Sequence, residues 1–369
     1  MALTPPQRRQ LRQRCELIVP GFAALSPAQE FAQMAAWCET QGVEHDSYGE
    51  GPLVDGFERK LAALLGKPAA VFMPSGIMAQ LAAVRVWAEA ARLPRFGMHP
   101  TSHLMLHEQE AYAALMQLHG VPLGDRLRPL LASDLQACRE PLACAVVELP
   151  IREAGGQLPS WDELEALKAA ARERKLPLHM DGARLWECAA HYGKRHDEIA
   201  AGFESVYVSV YKGVGAMSGA LLAGGEDFIA QARLWRRRMG GTLYHLSPMV
   251  VSAAMRLDDR LALMPAAYQR ALDLAAGLRP LPTLRVNPAV PHTNMMHLHF
   301  DASVDTLLDA RDDLATRTGC WLIDGARPAE VPGWSVSELY VGDRLLQVHA
   351  DNERVLPLFA QLLEALRTS

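Results

Sequence analysis

Nowhere in the 369 residues is there a run of about 18 apolar side chains, so the sequence offers no candidate for a membrane-spanning helix. Cysteine is sparse and scattered, with six residues at 15, 38, 138, 144, 188 and 320 and no Cys-x-x-Cys pair. That excludes a zinc ribbon or a disulfide scaffold and suits reduced core thiols of a cytoplasmic protein. Charge of one sign is missing too: 37 basic residues stand against 42 acidic ones, for a net charge of −5. No general attraction to nucleic acid follows, and there is no basic appendage to supply one. The segment Met1 to Cys15 is basic but has neither an apolar core nor a small-residue cleavage site, so it does not read as a secretory signal. Internal repeats and low-complexity linkers are absent as well.

What is present is ordinary globular composition, with 50% hydrophobic and 21% charged residues, enough apolar surface to offset chain entropy. The length fits two domains or one large one. Ser26-Pro-Ala-Gln-Glu30 has the form of a helix start and opens an apolar-periodic run to about Cys38. A glycine-rich stretch from Gly42 to Gly56 follows, and Val54 to Leu65 is apolar at 54, 57, 61, 64 and 65, a helical spacing. Then short apolar runs alternate with helical patterns. The runs are Ala69–Met73, Ala143–Leu149, Leu176–Asp181, Ser205–Tyr211 and Gly219–Gly224; helices are expected from Ile77 to Ala91 and, behind the capping box of Ser160 and Glu163, to about Arg174. This alternation predicts a mostly parallel sheet covered on both faces. Only Lys212 to Ser218, seven residues, separate the last two runs, too few for a parallel crossover, so Gly219–Gly224 should enter antiparallel. From about Met255 the texture changes to Ala/Leu/Arg helices with strands at Thr293–Phe300 and Arg344–His349, the pattern of a smaller α+β domain. The expected division is an N-terminal helical segment (1–45), a large domain (46–255) and a small C-terminal domain (256–369).

Two strand ends carry the chemistry. Asp181-Gly-Ala-Arg184 closes one apolar run and Tyr211-Lys-Gly-Val-Gly215 the next, with Lys212 lying 31 residues beyond Asp181. Ligands of open α/β sheets bind beyond the carboxyl ends of the strands, so both side chains should project into one crevice. A lysine, an aspartate and flanking glycines suit a pyridoxal phosphate Schiff base: the amine holds the aldehyde and the carboxylate keeps the pyridine nitrogen protonated. The plainer reading is a helix-capping Asp and a surface-turn Lys. Pro74-Ser-Gly-Ile77 lies between a strand and a helix N-terminus, where free N–H groups bind anions, although Ser-Gly there is commonly only a cap. His103 and His107, at i and i+4, would share one helix face and suit a pocket role better than a metal site, since no third ligand is evident. His297 and His299 alternate on a predicted strand and read as structural. Arg233-Leu-Trp-Arg-Arg-Arg238 reads as a solvated helix face.

These motifs resemble the low-specificity threonine aldolases of the β-eliminating lyase group, fold-type-I pyridoxal enzymes. The resemblance rests on Tyr48-Gly49, Pro74-Ser-Gly76, Ser102-His103 with Glu108, Glu148, Gly155-Gly156, Leu178-His-Met-Asp-Gly-Ala-Arg184, Lys212-Gly-x-Gly215, Trp235-Arg-Arg with Gly240-Gly241, and Thr293-Asn-Met295. They run colinearly over about residues 45 to 300; the Asp-Gly-Ala-Arg and Lys-Gly motifs are the specific ones. The resemblance implies a PLP-dependent transferase-like fold, pyridoxal 5'-phosphate on Lys212, and Asp181 on the pyridine nitrogen. It further implies Ser75 and Gly76, with Ile77 beside them, at the phosphate, His103 stacked on the ring, and Arg184 on the cofactor or the substrate carboxylate. Arg237 would help hold the phosphate in the assembled oligomer, and Tyr48 would reach a neighbouring subunit's site, as expected of a homodimer or homotetramer with shared active sites.

The chain departs from the pattern at three places. Cys15-Glu-Leu-Ile-Val-Pro20 stands where Ser-Asp-Thr is expected, Glu148 is followed by Leu-Pro-Ile-Arg152 in place of Thr-His-Asn, and Arg344 lies one residue out of register with the carboxylate-binding arginine. Arg152 is therefore a candidate replacement clamp, with Arg344 its rival and a surface pairing to Glu153 or Glu148 the alternative. The resulting expectation is retro-aldol cleavage of threonine or allo-threonine to glycine and an aldehyde, with His103, His107 or a water they hold as base. β-Elimination from another β-substituted amino acid is the alternative, and a non-catalytic pyridoxal-binding protein the reading from a different class.

Overall fold

The computed structural model describes residues 3–23, 25–347 and 352–368. The chain divides into two compact units: Leu25–Glu153 with Leu158–Ala262, and Met1–Ala24 with Ala154–Gln157 and Leu263–Ser369.

The larger unit is built on a seven-stranded sheet. Its strands are β1 (Ala69–Met73), β2 (Arg95–Met98), β3 (His119–Pro122), β4 (Ala145–Glu148), β5 (Leu178–Gly182), β6 (Ser205–Ser209) and β7 (Ala220–Gly224). Their order is β1-β7-β6-β5-β4-β2-β3. The run from β6 to β3 is parallel, while β7 pairs antiparallel with both β6 and β1. The antiparallel entry of β7 is the one its short connection requires. Every residue of β4 to β7 is buried, which is why these strands are continuous apolar runs with no alternation. β2 and β3 carry no such signal. β3 contains Gly120 and Pro122, and the sheet tolerates them because it is an edge strand.

The helix Gly76–Ala91 positions the site. Ser75 caps it, its Oγ accepting the Met78 N–H at 3.2 Å, and the helix stops at Arg92 in the left-handed region. Ala79, Ala82, Ala83 and Val86 pack with β1, β6 and β7 residues, while Leu81, Val84 and Ala88 enter a second cluster with Phe96 and Val146. The alanines of the first face let this helix lie close to the sheet and bring its first turn to the strand ends. The helix Trp161–Glu173 begins on the expected reciprocal box, with Ser160 Oγ accepting from Glu163 N at 3.2 Å and Glu163 Oε2 from Ser160 N at 2.8 Å.

The smaller unit holds an antiparallel sheet of β8 (Leu284–Asn287), β9 (Met295–Phe300), β10 (Arg327–Pro328) and β11 (Ser335–Tyr340), in the order β10-β11-β9-β8. The helices Val304–Thr318 and Asn352–Thr368 cover it through Leu307, Leu314, Phe359 and Leu362 against Leu298 and Phe300. The helix Pro5–Arg14 is tied in by Arg8, whose Nε lies 2.7 Å from Asp312 Oδ2. One expectation is corrected here: Arg344 is not on a strand but on a short helix, Asp343–Gln347. Arg, two Leu and Gln are good helix formers, and Asp343 sits favourably in the first turn. The rest of the expected strand, 348–349, lies outside the described residues.

Candidate active site

Three parallel strands end side by side. Glu148 on β4 is in register with Asp181 on β5, and Asp181 with Tyr207 on β6, so the three side chains share one face of the sheet. All three are buried. Beyond them a cavity of about 510 Å³ is floored by Asp181, Tyr207 and Ala183, and walled by Ser75, Gly76, Ile77 and Gln80 of the helix start. His103, His107 and Glu108 close one side; Tyr211, Lys212, Met217 and Ser218 close another. Gly76 has no alternative at its position. A Cβ built there would lie 2.2 Å from Tyr207 Oη, so the helix reaches the strand end only without a side chain.

The electrostatics follow from burial. Desolvation raises the Asp181 pKa above the ordinary aspartate value, opposed by Lys212, His103, the Ala183 N–H and Arg184. Glu148 is pushed up to about 8 by burial and by the neighbouring Asp181, although Oε1 accepts the Arg152 N–H at 3.1 Å. Two carboxylates paired across adjacent buried strands each make the other harder to ionise. Lys212 is lowered by burial and by Arg184, with Asp181, Glu148 and Glu187 opposing. Its amine is thus easier to deprotonate than a free lysine, as a nucleophile requires. His103 Nδ1 lies 2.9 Å from Glu108 Oε1, and His107 Nε2 lies 2.9 Å from Glu153 Oε1, with the two rings 5.2 Å apart. Burial raises the Glu108 pKa despite His103.

Of the residues expected from the sequence, Ser75, Gly76, Ile77, His103, His107, Asp181 and Lys212 meet around this one cavity. Arg184, half-buried, follows its floor and acts on Lys212, Asp181 and Glu148 through charge. The others stand elsewhere. Arg152 is on a short turn with its guanidinium 3.6 Å from Glu153. Arg344 donates from Nε to the Phe22 carbonyl at 2.9 Å. Tyr48 is 56% exposed in an edge contact with Tyr244 at 5.3 Å. Arg237 is exposed on the last turn of its helix, whereas the adjacent Arg236 is buried and donates to the Phe72 carbonyl at 3.0 Å. Sequence reasoning did not single out Tyr207 or Gln80. Gln80 could have been found, since it lies one helical turn beyond Gly76; Tyr207 could not, because only strand register brings it beside Asp181.

The donor set fits pyridoxal phosphate. An amine, a buried carboxylate and a helix N-terminus for an anion line one space, and two buried polar atoms of its lining residues lack hydrogen-bond partners among the described residues: Gln80 Nε2 and Glu108 Oε2. Comparison with known proteins agrees. The β-eliminating lyase family model matches residues 26–301. The low-specificity L-threonine aldolase 1 of Arabidopsis thaliana is 27% identical over 284 residues, covering 73% of this chain and 78% of the relative. A Listeria monocytogenes structure named for L-allo-threonine aldolase superposes with a TM-score of 0.89 at 34% identity, covering 98% of each chain. One from Exiguobacterium, named for an aromatic amino acid β-eliminating lyase/threonine aldolase, gives 0.90 at 35% identity, covering 97% of this chain and 99% of the other. With residues 26–301 matched by its model, the chain belongs to the β-eliminating lyase family, pyridoxal-phosphate-dependent lyases built on the fold-type-I scaffold.

Proposed function

We propose that the protein cleaves a small β-hydroxy-α-amino acid, threonine or allo-threonine, to glycine and an aldehyde. The observation that carries this reading is the convergence of Lys212 and Asp181 with the first turn of the helix Gly76–Ala91 on one cavity walled by two histidines. Pyridoxal phosphate, when bound, supplies an electron sink for the Cα–Cβ bond. Lys212 provides the amine that anchors it, Asp181 holds the pyridine nitrogen's proton, and the N–H groups at Ser75, Gly76 and Ile77 hold the phosphate. His103 would cover the ring. Its Nδ1–H donates to Glu108, which leaves Nε2 free to accept a proton; His107, donating from Nε2 to Glu153, leaves Nδ1 free. One of these nitrogens, or a water between them, takes the β-hydroxyl proton.

Three parts of the reading concern residues outside the cavity lining. Arg184 and either Arg152 or Arg344 fix the substrate carboxylate. The working protein is a homodimer or homotetramer in which Tyr48, exposed on its loop, enters a neighbour's site and Arg237 supports the neighbouring phosphate. The compartment is the cytoplasm, supported by six free cysteines and by the lack of any helix, among the described residues, long and apolar enough to cross a membrane. The test is turnover on a panel of β-substituted amino acids with glycine and aldehyde both quantified. Equal amounts of the two from threonine or allo-threonine are expected; a 2-oxo acid and ammonia instead would make β-elimination the activity.

A further inference from the structure

Beneath the cavity floor runs a chain of buried hydrogen bonds that the reaction so far does not use. Trp87 Nε1 donates to Ser205 Oγ at 2.8 Å, Ser205 Oγ lies 2.8 Å from His179 Nδ1, and His179 Nε2 lies 2.8 Å from Gln80 Oε1. Ser205 and His179 are fully buried and Gln80 is 1% exposed. The direction of the chain follows from its two ends. Indole N–H can only donate, so Ser205 Oγ accepts there, and an amide oxygen can only accept, so His179 Nε2 donates to Gln80 Oε1. Burial pushes the His179 pKa down to about 3, so the ring is neutral, with its one proton on Nε2 and Nδ1 left to accept from the Ser205 hydroxyl. The Gln80 amide is thereby fixed with its oxygen toward the core. Its Nε2, carrying two donors, is buried and has no partner among the described residues, yet the residue lines the cavity with Asp181 and Lys212.

A buried donor pair left unmet is costly unless something bound there accepts from it. We infer that Gln80 is a further cofactor-binding residue: the Trp87–Ser205–His179 chain holds its amide N–H groups toward the cavity, where they donate to an oxygen of pyridoxal phosphate. The inference deepens the proposed function and rests on its assignment of the cofactor to this cavity. Helical spacing supports it. Gln80 is four residues beyond Gly76, on the face that approaches Tyr207, so it addresses the same ligand as the anion-binding first turn.

The test compares wild type with Gln80→Glu and Gln80→Met. Glutamate keeps an acceptor for His179 but replaces the donor with a negative oxygen; methionine keeps the bulk and removes both. Each protein is stripped of cofactor and titrated with pyridoxal phosphate, following the visible absorbance, and its thermal midpoint is recorded with and without cofactor. Losing one charge-assisted hydrogen bond should weaken cofactor binding about tenfold or more in Gln80→Met, and further in Gln80→Glu. The rise in midpoint on adding cofactor should shrink in both. A merely structural Gln80 would lower both midpoints together and leave that rise unchanged, which overturns the inference, as does an affinity within about twofold of wild type. Titration with pyridoxal, which lacks the phosphate, locates the accepting oxygen: a defect that persists puts it on the ring, and one that vanishes puts it on the phosphate. If one variant does not fold, the other decides by the same two measurements. Wild type that binds no cofactor would refute the proposed function; wild type that binds while both variants bind equally well would refute only the role of Gln80.

Discussion

Lys212 has its amine in a partly enclosed cavity under the charge of three carboxylates, Asp181, Glu148 and Glu187, and of the Arg184 guanidinium, and the balance of these charges decides how readily it reacts. Because burial and Arg184 lower its pKa, borohydride reduction of the pyridoxal-phosphate-loaded protein, followed by peptide mapping, should place the pyridoxyl group on Lys212. A label on any other lysine would end the assignment. Glu148 offers a pH test. The folded cofactor-free protein keeps its proton up to about pH 8, whereas the unfolded chain loses it near 4.5. Between those values the folded state binds more protons, so this residue's stabilisation fades as pH rises. Glu148→Gln, neutral throughout, should flatten the fall in stability between pH 6 and 8, measured by urea unfolding of the stripped protein. An unchanged slope would show that Glu148 is ionised in the fold. For the carboxylate clamp, loss of one charge-assisted contact is worth about 1.5–3 kcal/mol, so Arg152→Ala should raise KM roughly tenfold or more with cofactor absorbance intact. An unaltered KM there, with a large loss in Arg344→Ala, would transfer the clamp to Arg344.

At the scale of elements, the site depends on how closely one helix start approaches three strand ends. The helix Gly76–Ala91 is capped by Ser75 and lies low on the sheet through alanines at 79, 82 and 83. Its first residue meets Tyr207 so closely that any side chain must displace the phenol. Gly76→Ala is therefore expected to cost about 1–3 kcal/mol, the usual price of overpacking. Adding Tyr207→Phe, which removes the oxygen in the way, should recover part of that loss, because the two residues touch and their effects cannot be additive. Denaturant unfolding of the two single variants and the double variant measures it; strict additivity would mean that the helix start and the strand end are further apart than described.

For the whole molecule, the question is whether one chain makes a complete site. Tyr48 sits at φ 55 in a glycine-rich loop, held by Asp46, which is 2% exposed and accepts N–H groups from Gly49, Leu246 and Ser247. A loop fixed this firmly, with tyrosines 48 and 244 mostly exposed, is suited to present them to a second copy. Mixing inactive Tyr48→Phe subunits with inactive Lys212→Ala subunits should restore part of the activity, since some sites in the mixed oligomer would be intact. Activity that never returns, despite demonstrated subunit exchange, would count against shared sites.

Residue pattern and spacing were enough to place the sheet's central strands, the antiparallel entry of β7, and the meeting of Asp181 and Lys212 beyond neighbouring strand ends. The reason is local: buried parallel strands must be apolar throughout, and seven residues cannot make a crossover. The sequence also marked the helix starts at Ser26, Ser75 and Ser160, where a side-chain oxygen replaces a missing backbone partner. What it could not determine depends on register and on distant segments. The edge strand at His119–Pro122 exists because β2 offers it backbone partners, and its own residues do not demand it. Arg344 left its expected strand because local propensity favoured a helix there. Tyr207 and Glu148 came to flank Asp181 through pairings between residues 26 and 33 positions apart, and Gln80 was turned toward the cavity by a histidine 99 positions away. Tertiary structure alone decides such contacts, because strand register and side-chain hydrogen bonds form only once the layers have packed.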